Sequence, residues 1–167
     1  IINLLLAREY GAGRVIGADM VKFRLDKALE FGADNIIDVA DSDLREELQR
    51  ITAGDMAELV IVGPNSADAM KQGLSCVRPG GQALLFTPAR PGERLDLDPN
   101  WLYFNDINII TSYSCGPDDT REACRLIEKG IVSAGKLVTH RFPVEDTAEA
   151  FRLTAKAENS LKALIVF

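Results

Sequence analysis

Apolar residues occur along this chain in two patterns that alternate from one end to the other. Runs that are apolar throughout, such as 59–62, predict buried strands, and segments with an apolar residue every three or four positions predict amphipathic helices. Predicted strands cover residues 14–19, 35–39, 59–62, 82–87, 107–113, 138–142 and 162–167. Predicted helices cover residues 2–10, 21–31, 44–53 and 67–74, a segment from 118 or 119 to 129, and a last segment that begins near 146.

Helix ends are marked by glycines and by capping residues. The glycines expected just beyond a helix are Gly11, Gly32, Gly54 and Gly130. The spacing of a capping box occurs at Asp43 with Glu46 and again at Asp146 with Glu149, and Ser66 is a further predicted N-cap. In the helix after residue 118, we expect Ala123, Leu126 and Ile127 to face the core.

Strands and helices alternate with short connections, and most of the strands are apolar on both faces. Such strands are typical of a parallel sheet that helices cover on both sides. The sequence therefore predicts an α/β fold with a doubly wound parallel sheet of the Rossmann type. Within it, Pro-Gly-Gly at 79–81 is a predicted tight turn, and residues 88–99, rich in proline, glycine and charge, form a predicted surface loop.

Asp19 stands at the end of the predicted strand 14–19, directly before a helix. Ligands of an open parallel sheet bind at its carboxyl edge, where an acid can accept hydrogen bonds from both hydroxyls of an adenosine ribose. Aspartate is also a good N-cap. From residues 14–19 alone, ribose binding and helix capping are equal alternatives.

The start of the expected fold is not recognisable in this sequence. A dinucleotide-binding domain begins with a strand and a Gly-x-Gly-x-x-Gly turn, and the ribose acid follows about 20 residues later. Counting back that far from Asp19 reaches Ile1, so we expect the chain to lack the first strand and the Gly-rich turn. In the order 3-2-1-4-5-6 that strand is central. We expect the gap to be closed by an upstream segment, by direct re-pairing or by a strand from another copy.

Composition narrows the class of protein. The chain has 167 residues with 47% hydrophobic content, which suits one domain or one domain with an appendage. A net charge of −6 argues against a nucleic-acid partner. No apolar run reaches the roughly 18 residues of a membrane span, and no signal peptide is recognisable. Three scattered cysteines provide neither a zinc motif nor a disulfide framework. We therefore expect a soluble, cytoplasmic protein that has no membrane partner.

Several short segments occur in a characteristic order. They are 11–16 leading into Asp19, 27–33, 77–81, 112–117, 137–143 and 148–151. Together they resemble the zinc-dependent medium-chain alcohol and polyol dehydrogenases, specifically the C-terminal part of these enzymes, over essentially the whole chain. The Ser-Tyr-Ser-Cys-Gly-Pro stretch at 112–117 is most similar to the sorbitol, threonine and butanediol dehydrogenase branch.

The resemblance implies a cofactor site. Asp19 corresponds to the family's ribose acid, which favours NAD over NADP because a carboxylate repels a 2′-phosphate. Arg24 stands where the family often has a basic residue beside the adenosine, although it could instead accept a phosphate. The other implied cofactor-binding residues are Met20, then Gly63, Pro64 and Asn65 past the cofactor's middle, and Phe86, Thr87, Pro88, Ser112 and Tyr113 along the nicotinamide. Each of these could also be an ordinary strand end.

The zinc ligands of the family are not recognisable here. In the family they are Cys, His and acidic residues of an N-terminal domain, which also holds a structural zinc on four cysteines. His140 is the single histidine, and Cys115 has no evident base or metal partner. We therefore assign no catalytic and no metal-binding residue, and expect zinc in the parent enzyme but not on this chain.

Two functions of different classes remain open. In the first, the chain is the cofactor-binding part of a dehydrogenase that transfers hydride between NAD(P) and a secondary alcohol or polyol, with zinc as the Lewis acid. In the second, it is a non-catalytic, truncated Rossmann remnant that acts only in self-association. A methyltransferase-like nucleotide fold is a third interpretation, and the family-like tail from residue 137 counts against it.

The resemblance also implies an organisation and an assembly. Residues 1–117 correspond to an incomplete NAD-binding Rossmann domain, and residues 118–167 to helices and strands that return to the catalytic domain. The predicted edge strand 107–113 has no internal charge or proline to discourage pairing. In the family, the similar strand joins its twofold mate. We therefore predict a homodimer or tetramer through strand 107–113.

Overall fold

A computed structural model describes all 167 residues of the chain. In chain order its elements are α1 Ile2–Glu9, β1 Ile16–Asp19, α2 Lys22–Glu30, β2 Asn35–Asp38, α3 Leu44–Ile51, β3 Ala57–Val62, α4 Ala67–Ser75, β4 Val77–Leu85, α5 Pro99–Phe104, β5 Asn108–Thr111, α6 Pro117–Glu128, α7 Ala134–Leu137, β6 Val138–Pro143, a 3₁₀ turn Val144–Asp146, α8 Thr147–Lys156 and β7 Lys162–Val166. None of the helices combines the length and the apolar composition that a membrane span requires.

All the strand pairs are parallel. β1 pairs with β2, β3 with β4, β4 with β5, and β6 with β7. The first three pairings are the ones that the order 3-2-1-4-5-6 requires when strand 1 is left out, and the β6–β7 pair is additional to that order. The α/β class and the parallel, Rossmann-like pairing confirm the predicted doubly wound fold. β1 pairs only with β2, and β3 pairs only with β4. Direct re-pairing of β1 with β3 therefore does not close the expected gap.

The chain forms two compact units, the first comprising Ile1–Asp41 with Gly116–Phe167 and the second Ser42–Cys115. In the first unit, α1 and α2 contribute Leu4 and Ala28 to a buried cluster with Ala33. Arg8 connects the ends of these two helices, since its guanidinium donates to the carbonyls of Ala12 and Gly32, each at 3.1 Å. This cluster lies on the face of the β1–β2 pair that α2 covers.

The second unit is built on the β3–β4–β5 sheet. Its buried cluster consists of Leu74, Val77 and Ala83, with Val60, Leu95, Ile107 and Ile109 packed against it. α4 lies close to β3 at Gly73, where a Cβ atom would come within 2.5 Å of Val62 Cγ2. Glycine is therefore required at this helix–sheet contact.

Residues 79–81 do not form the predicted turn. They lie inside β4, and the register with β3 shifts from Ala57 opposite Val77 to Leu59 opposite Gln82. Extra residues on β4 therefore form a bulge, with Gly80 at φ +75°. The glycines that predict a turn serve here to let one strand bend while it stays paired.

Two predicted helix starts are confirmed at the level of single hydrogen bonds. The Asp43 carboxylate accepts from the Glu46 N–H at 2.9 Å, and Ser66 Oγ accepts from the Ala69 N–H at 3.1 Å. The predicted capping box at Asp146 is wrong, because Asp146 makes no side-chain cap bond and a 3₁₀ turn precedes α8.

One expectation about a helix is also wrong, and one helix was not predicted. In α6 only Leu126 is buried, whereas Ala123 and Ile127 are exposed. Helix α5 is absent from the prediction, although Asp98 caps it by accepting from the N–H groups of Asn100 and Trp101 at 2.9 and 3.1 Å.

Candidate functional site

Asp19 ends β1 at the carboxyl edge of the β1–β2 pair. Its Oδ1 accepts a hydrogen bond from the Val21 N–H at 3.0 Å, and its Oδ2 lies 3.6 Å from Arg24 Nη1. Val21, and not Asp19, is the N-cap of α2, and it has no side-chain cap bond. Asp19 therefore shapes the turn before the helix with one oxygen and leaves the other beside a guanidinium.

The surroundings of Asp19 suit a polar, partly exposed ligand. Its side chain is 30% exposed, so the carboxylate is reachable without being fully hydrated. Met20, the next residue, is exposed. Across the parallel pair, Asp19 is in register with Asp38, whose Oδ1 accepts from the Ala40 N–H at 3.0 Å. The edge thus carries two carboxylates, which can accept hydrogen bonds from hydroxyl groups, and one nearby arginine, which can donate them.

A second group of predicted site residues lies at the carboxyl edge of the β3–β4–β5 sheet. The Phe86 N–H donates to the Val62 carbonyl at 3.1 Å, and the Ser112 N–H donates to the Leu85 carbonyl at 3.3 Å. Thr87 Oγ1 donates to the Gly63 carbonyl at 2.6 Å. These bonds bring the three strand ends together.

The side chains of this second group face outward. Gly63, Pro64, Asn65 and Pro88 are exposed, Phe86 is 48% exposed and Tyr113 is 98% exposed. The edge therefore offers backbone groups and two aromatic surfaces to a ligand. Asp19, Met20 and Arg24 belong to the first compact unit, and the predicted residues from Gly63 to Tyr113 belong to the second.

One residue near this edge was missed by the sequence reasoning. Glu93, in the loop after β4, accepts a hydrogen bond from the Ala67 N–H at the start of α4, at 3.1 Å. The only signal for it was an acid within a loop rich in proline and glycine, and many exposed acids share that description.

The chain belongs to the zinc-binding dehydrogenase family, whose model matches residues 1–129. The predicted resemblance to the C-terminal part of the zinc-dependent medium-chain alcohol and polyol dehydrogenases is therefore confirmed. L-threonine 3-dehydrogenase of Bacillus licheniformis is 29% identical over 99% of this chain and 48% of its own length. Sorbitol dehydrogenase of Bombyx mori is 28% identical over 99% of this chain and 47% of its own length. The chain thus spans about half the length of these curated relatives.

Solved structures agree on the fold. An alcohol dehydrogenase from Escherichia coli CFT073 complexed with NADH superimposes with a TM-score of 0.87 at 24% identity, over 99% of this chain and 48% of that one. A zinc-binding dehydrogenase from Sinorhizobium meliloti 1021 bound to NADP gives a TM-score of 0.89 at 20% identity, over the same shares. At these identities the likeness shows the fold alone.

The residues of this chain do not fit the zinc of the family. No group of three or more His, Cys, Asp or Glu side chains could hold a metal ion. His140 Nδ1 lies 3.0 Å from Thr139 Oγ1, and its ring stacks on Phe142. Cys76 is buried, and this burial raises the pKa of its thiol above the ordinary value.

Proposed function

We propose that this chain is the cofactor-binding part of an NAD-dependent dehydrogenase of the zinc-dependent alcohol and polyol class. The bound nicotinamide would exchange hydride with a secondary alcohol or polyol. This chain would bind and orient the cofactor, and the proposal assigns it no zinc ligand and no proton-transfer group. The threonine and sorbitol dehydrogenases among its relatives support this substrate class.

The observation that carries the proposal is the position of the Asp19 carboxylate. It ends β1 at the carboxyl edge, with Oδ2 beside Arg24 and without a capping bond to α2. A carboxylate in this place can accept both ribose hydroxyls, and the arginine can lie along the adenosine. Met20, exposed next to it, would cover one side of the nucleotide.

The second edge is the one that we assign to the nicotinamide end of the cofactor. Its carboxamide presents both donors and acceptors, and exposed backbone at a strand end can pair with both. We infer that Phe86, Thr87, Pro88, Ser112 and Tyr113 take this role, with Gly63, Pro64 and Asn65 passing the middle of the cofactor. The bonds that link the ends of β3, β4 and β5 support this assignment.

NAD is proposed over NADP for an electrostatic reason. A 2′-phosphate would meet the Asp19 carboxylate, and Asp38 adds a second acid in register with it. Arg24 opposes this repulsion, but its guanidinium is already 3.6 Å from Asp19 Oδ2. The solved neighbours include both an NADH and an NADP complex, so the choice depends on these side chains and not on the fold.

The test is the cofactor preference of Asp19→Ala in the polypeptide purified as its gene encodes it. NAD affinity should fall by about 1–3 kcal/mol for a lost charged acceptor, with NADP weakened less or strengthened. Asp26→Ala removes an exposed acid of α2 that pairs with Lys22, and it should leave both affinities unchanged. Calorimetry with NAD and NADP measures both variants. An unchanged preference would reduce Asp19 to a turn residue, and a wild type that binds neither cofactor would favour the non-catalytic remnant.

The two parts of the chain have different proposed roles. We propose that residues 1–117 form the incomplete NAD-binding Rossmann domain, and that residues 118–167 return to a catalytic domain. The exposed Phe151 and Leu164 support contact with further polypeptide.

We also propose a homodimer, or a tetramer built from such dimers, through the strand at 107–113. The free thiols of Cys115 and Cys124 are exposed and suit the reducing cytoplasm, which we take as the location.

A further inference from the structure

The loop after β4 is fastened to the segment that leads into α4 at two points. At the first, Thr87 Oγ1 donates to the Gly63 carbonyl at 2.6 Å. At the second, the Ala67 N–H donates to Glu93 Oε2 at 3.1 Å. Ala67 is the first residue of α4, and its N-cap Ser66 directly follows Asn65. The loop from 87 to 93 is therefore held alongside residues 63–67.

The role of Glu93 is not limited to the start of α4. Ser66 already caps α4 through the Ala69 N–H at 3.1 Å. Glu93 reaches a different one of the first N–H groups from 26 positions away in sequence, and its negative charge is favourable at the positive end of the helix dipole. Its bond therefore fixes the position of a loop relative to a helix.

Further local constraints act on the backbone of this loop between its two anchors. The Glu93 N–H donates to the Arg90 carbonyl at 3.0 Å and closes a turn. Pro88 and Pro91 restrict the backbone between the two anchors. On the far side, Leu95 packs against the buried cluster around Leu74. Only five residues, 88–92, separate Thr87 from Glu93, so we expect a change at the Glu93 anchor to reach residues 86–88.

We propose that Glu93 is a positioning residue for the nicotinamide end of the cofactor site. Its bond to the Ala67 N–H holds the loop so that the backbone of residues 86–88 stays beside the turn at 63–65. The inference rests on the proposed function, because it takes these two segments as the nicotinamide side. Glu93 itself touches no part of the cofactor.

The test compares NAD with ADP-ribose, which has the adenosine and pyrophosphate but not the nicotinamide. In the polypeptide as its gene encodes it, Glu93→Ala should weaken NAD binding by roughly two- to fivefold, the lower part of the range expected for one lost hydrogen bond. ADP-ribose affinity should stay at the wild-type value. Glu93→Gln keeps an oxygen that can accept from the Ala67 N–H, so it should restore most of the loss.

Asp68→Ala is the matched control. Asp68 also lies in the first turn of α4, but no hydrogen bond joins it to the loop, so its removal should change neither affinity. Equal weakening of NAD and ADP-ribose in Glu93→Ala, no weakening of either, or the same NAD loss in Asp68→Ala would each overturn the role of Glu93. A wild type that binds ADP-ribose but not NAD would overturn it as well. A wild type that binds neither ligand would instead remove the proposed function on which it rests.

Discussion

Gly81 is the residue at which the structure forbids a side chain most clearly. A Cβ atom there would lie 2.8 Å from the Glu58 carbonyl oxygen and 2.9 Å from the Arg78 carbonyl oxygen, and backbone atoms cannot move aside as a flexible side chain can. We expect Gly81→Ala to lower the free energy of unfolding by about 1–3 kcal/mol.

The control for this prediction is Gly13→Ala. A Cβ atom at Gly13 has nothing within 4 Å, so this variant should be neutral or should stabilise by up to about 1 kcal/mol. Urea denaturation of both variants measures the difference. Equal stability of the two variants would show that the bulge in β4 relaxes to accept a methyl group.

The same bulge shows where sequence reasoning stops at the scale of a residue. The capping bonds of Asp43 and Ser66 are predictable because the donor lies three residues away in the same helix. Gly80 and Gly81 also indicate an unusual backbone conformation. Whether that backbone is a turn or a bulge depends on pairing with β3, some twenty residues earlier, which no local pattern encodes.

At the scale of elements, a polar network joins Tyr10, the residue directly after α1, to α6. Glu122 accepts from Tyr10 Oη at 2.6 Å and from two nitrogens of Arg125, at 2.7 and 2.5 Å. The bonds from Arg125, and then that from Tyr10, hold the pKa of Glu122 at about 2, well below its ordinary value of 4.5. Since the folded-state pKa is depressed, this stabilisation is present above about pH 4.5 and is lost as the pH falls towards 2.

This network leads to a prediction about acid stability. The wild type should have a higher melting temperature than Glu122→Gln at pH 6, and the difference should shrink between pH 4.5 and pH 2, the window of the Glu122 shift. Glu128→Gln, at the exposed end of α6, is the control and should follow the wild type. Thermal melts by circular dichroism at several pH values provide the measurement. A pH-independent difference would mean that Glu122 acts through packing and not through its charge.

Helix α5 shows a different limit at the element scale. Its signals were present, since Asp98 precedes Pro99 and proline is favoured at the first position of a helix. The helix is only six residues long, and it follows a loop rich in proline and glycine. Its helical form depends on the Asp98 cap and on its place between the loop and β5, and a short apolar run by itself does not distinguish helix from strand.

At the scale of the whole molecule, the family resemblance, and not the topology, selects the groups at 63–65, 86–88 and 112–113. Topology explains only why such groups follow the carboxyl ends of β3, β4 and β5, as Asp19 ends β1. Glu93 could not be selected, because its role depends on a hydrogen bond across 26 residues. The substrate pocket also could not be predicted, since half of each relative's length lies outside the match.

The open edge of β5 is the feature from which we predict how copies of the molecule assemble. β5 pairs on one side only, with β4, and no charge or proline interrupts Asn108–Thr111. Such an edge is a template for pairing with another strand unless something covers it. A twofold axis would place the same strand of a second copy antiparallel to it, which makes a self-complementary contact. Ile110, 42% exposed, would lose further apolar surface there.

The alternation of donors along β5 indicates which residue tests this interface. The Ser112 N–H donates to β4 at Leu85, so the preceding N–H, that of Thr111, points to the open edge. Thr111→Pro removes this donor without touching the core, whereas a proline at Ile109 would also disturb the buried cluster. We expect the wild type to be dimeric, or tetrameric, by light scattering and Thr111→Pro to dissociate at the same concentration. Thr111→Val, which keeps the N–H, should remain associated. A monomeric wild type, or a Thr111→Pro protein of unchanged mass that melts like the wild type, would exclude pairing through β5.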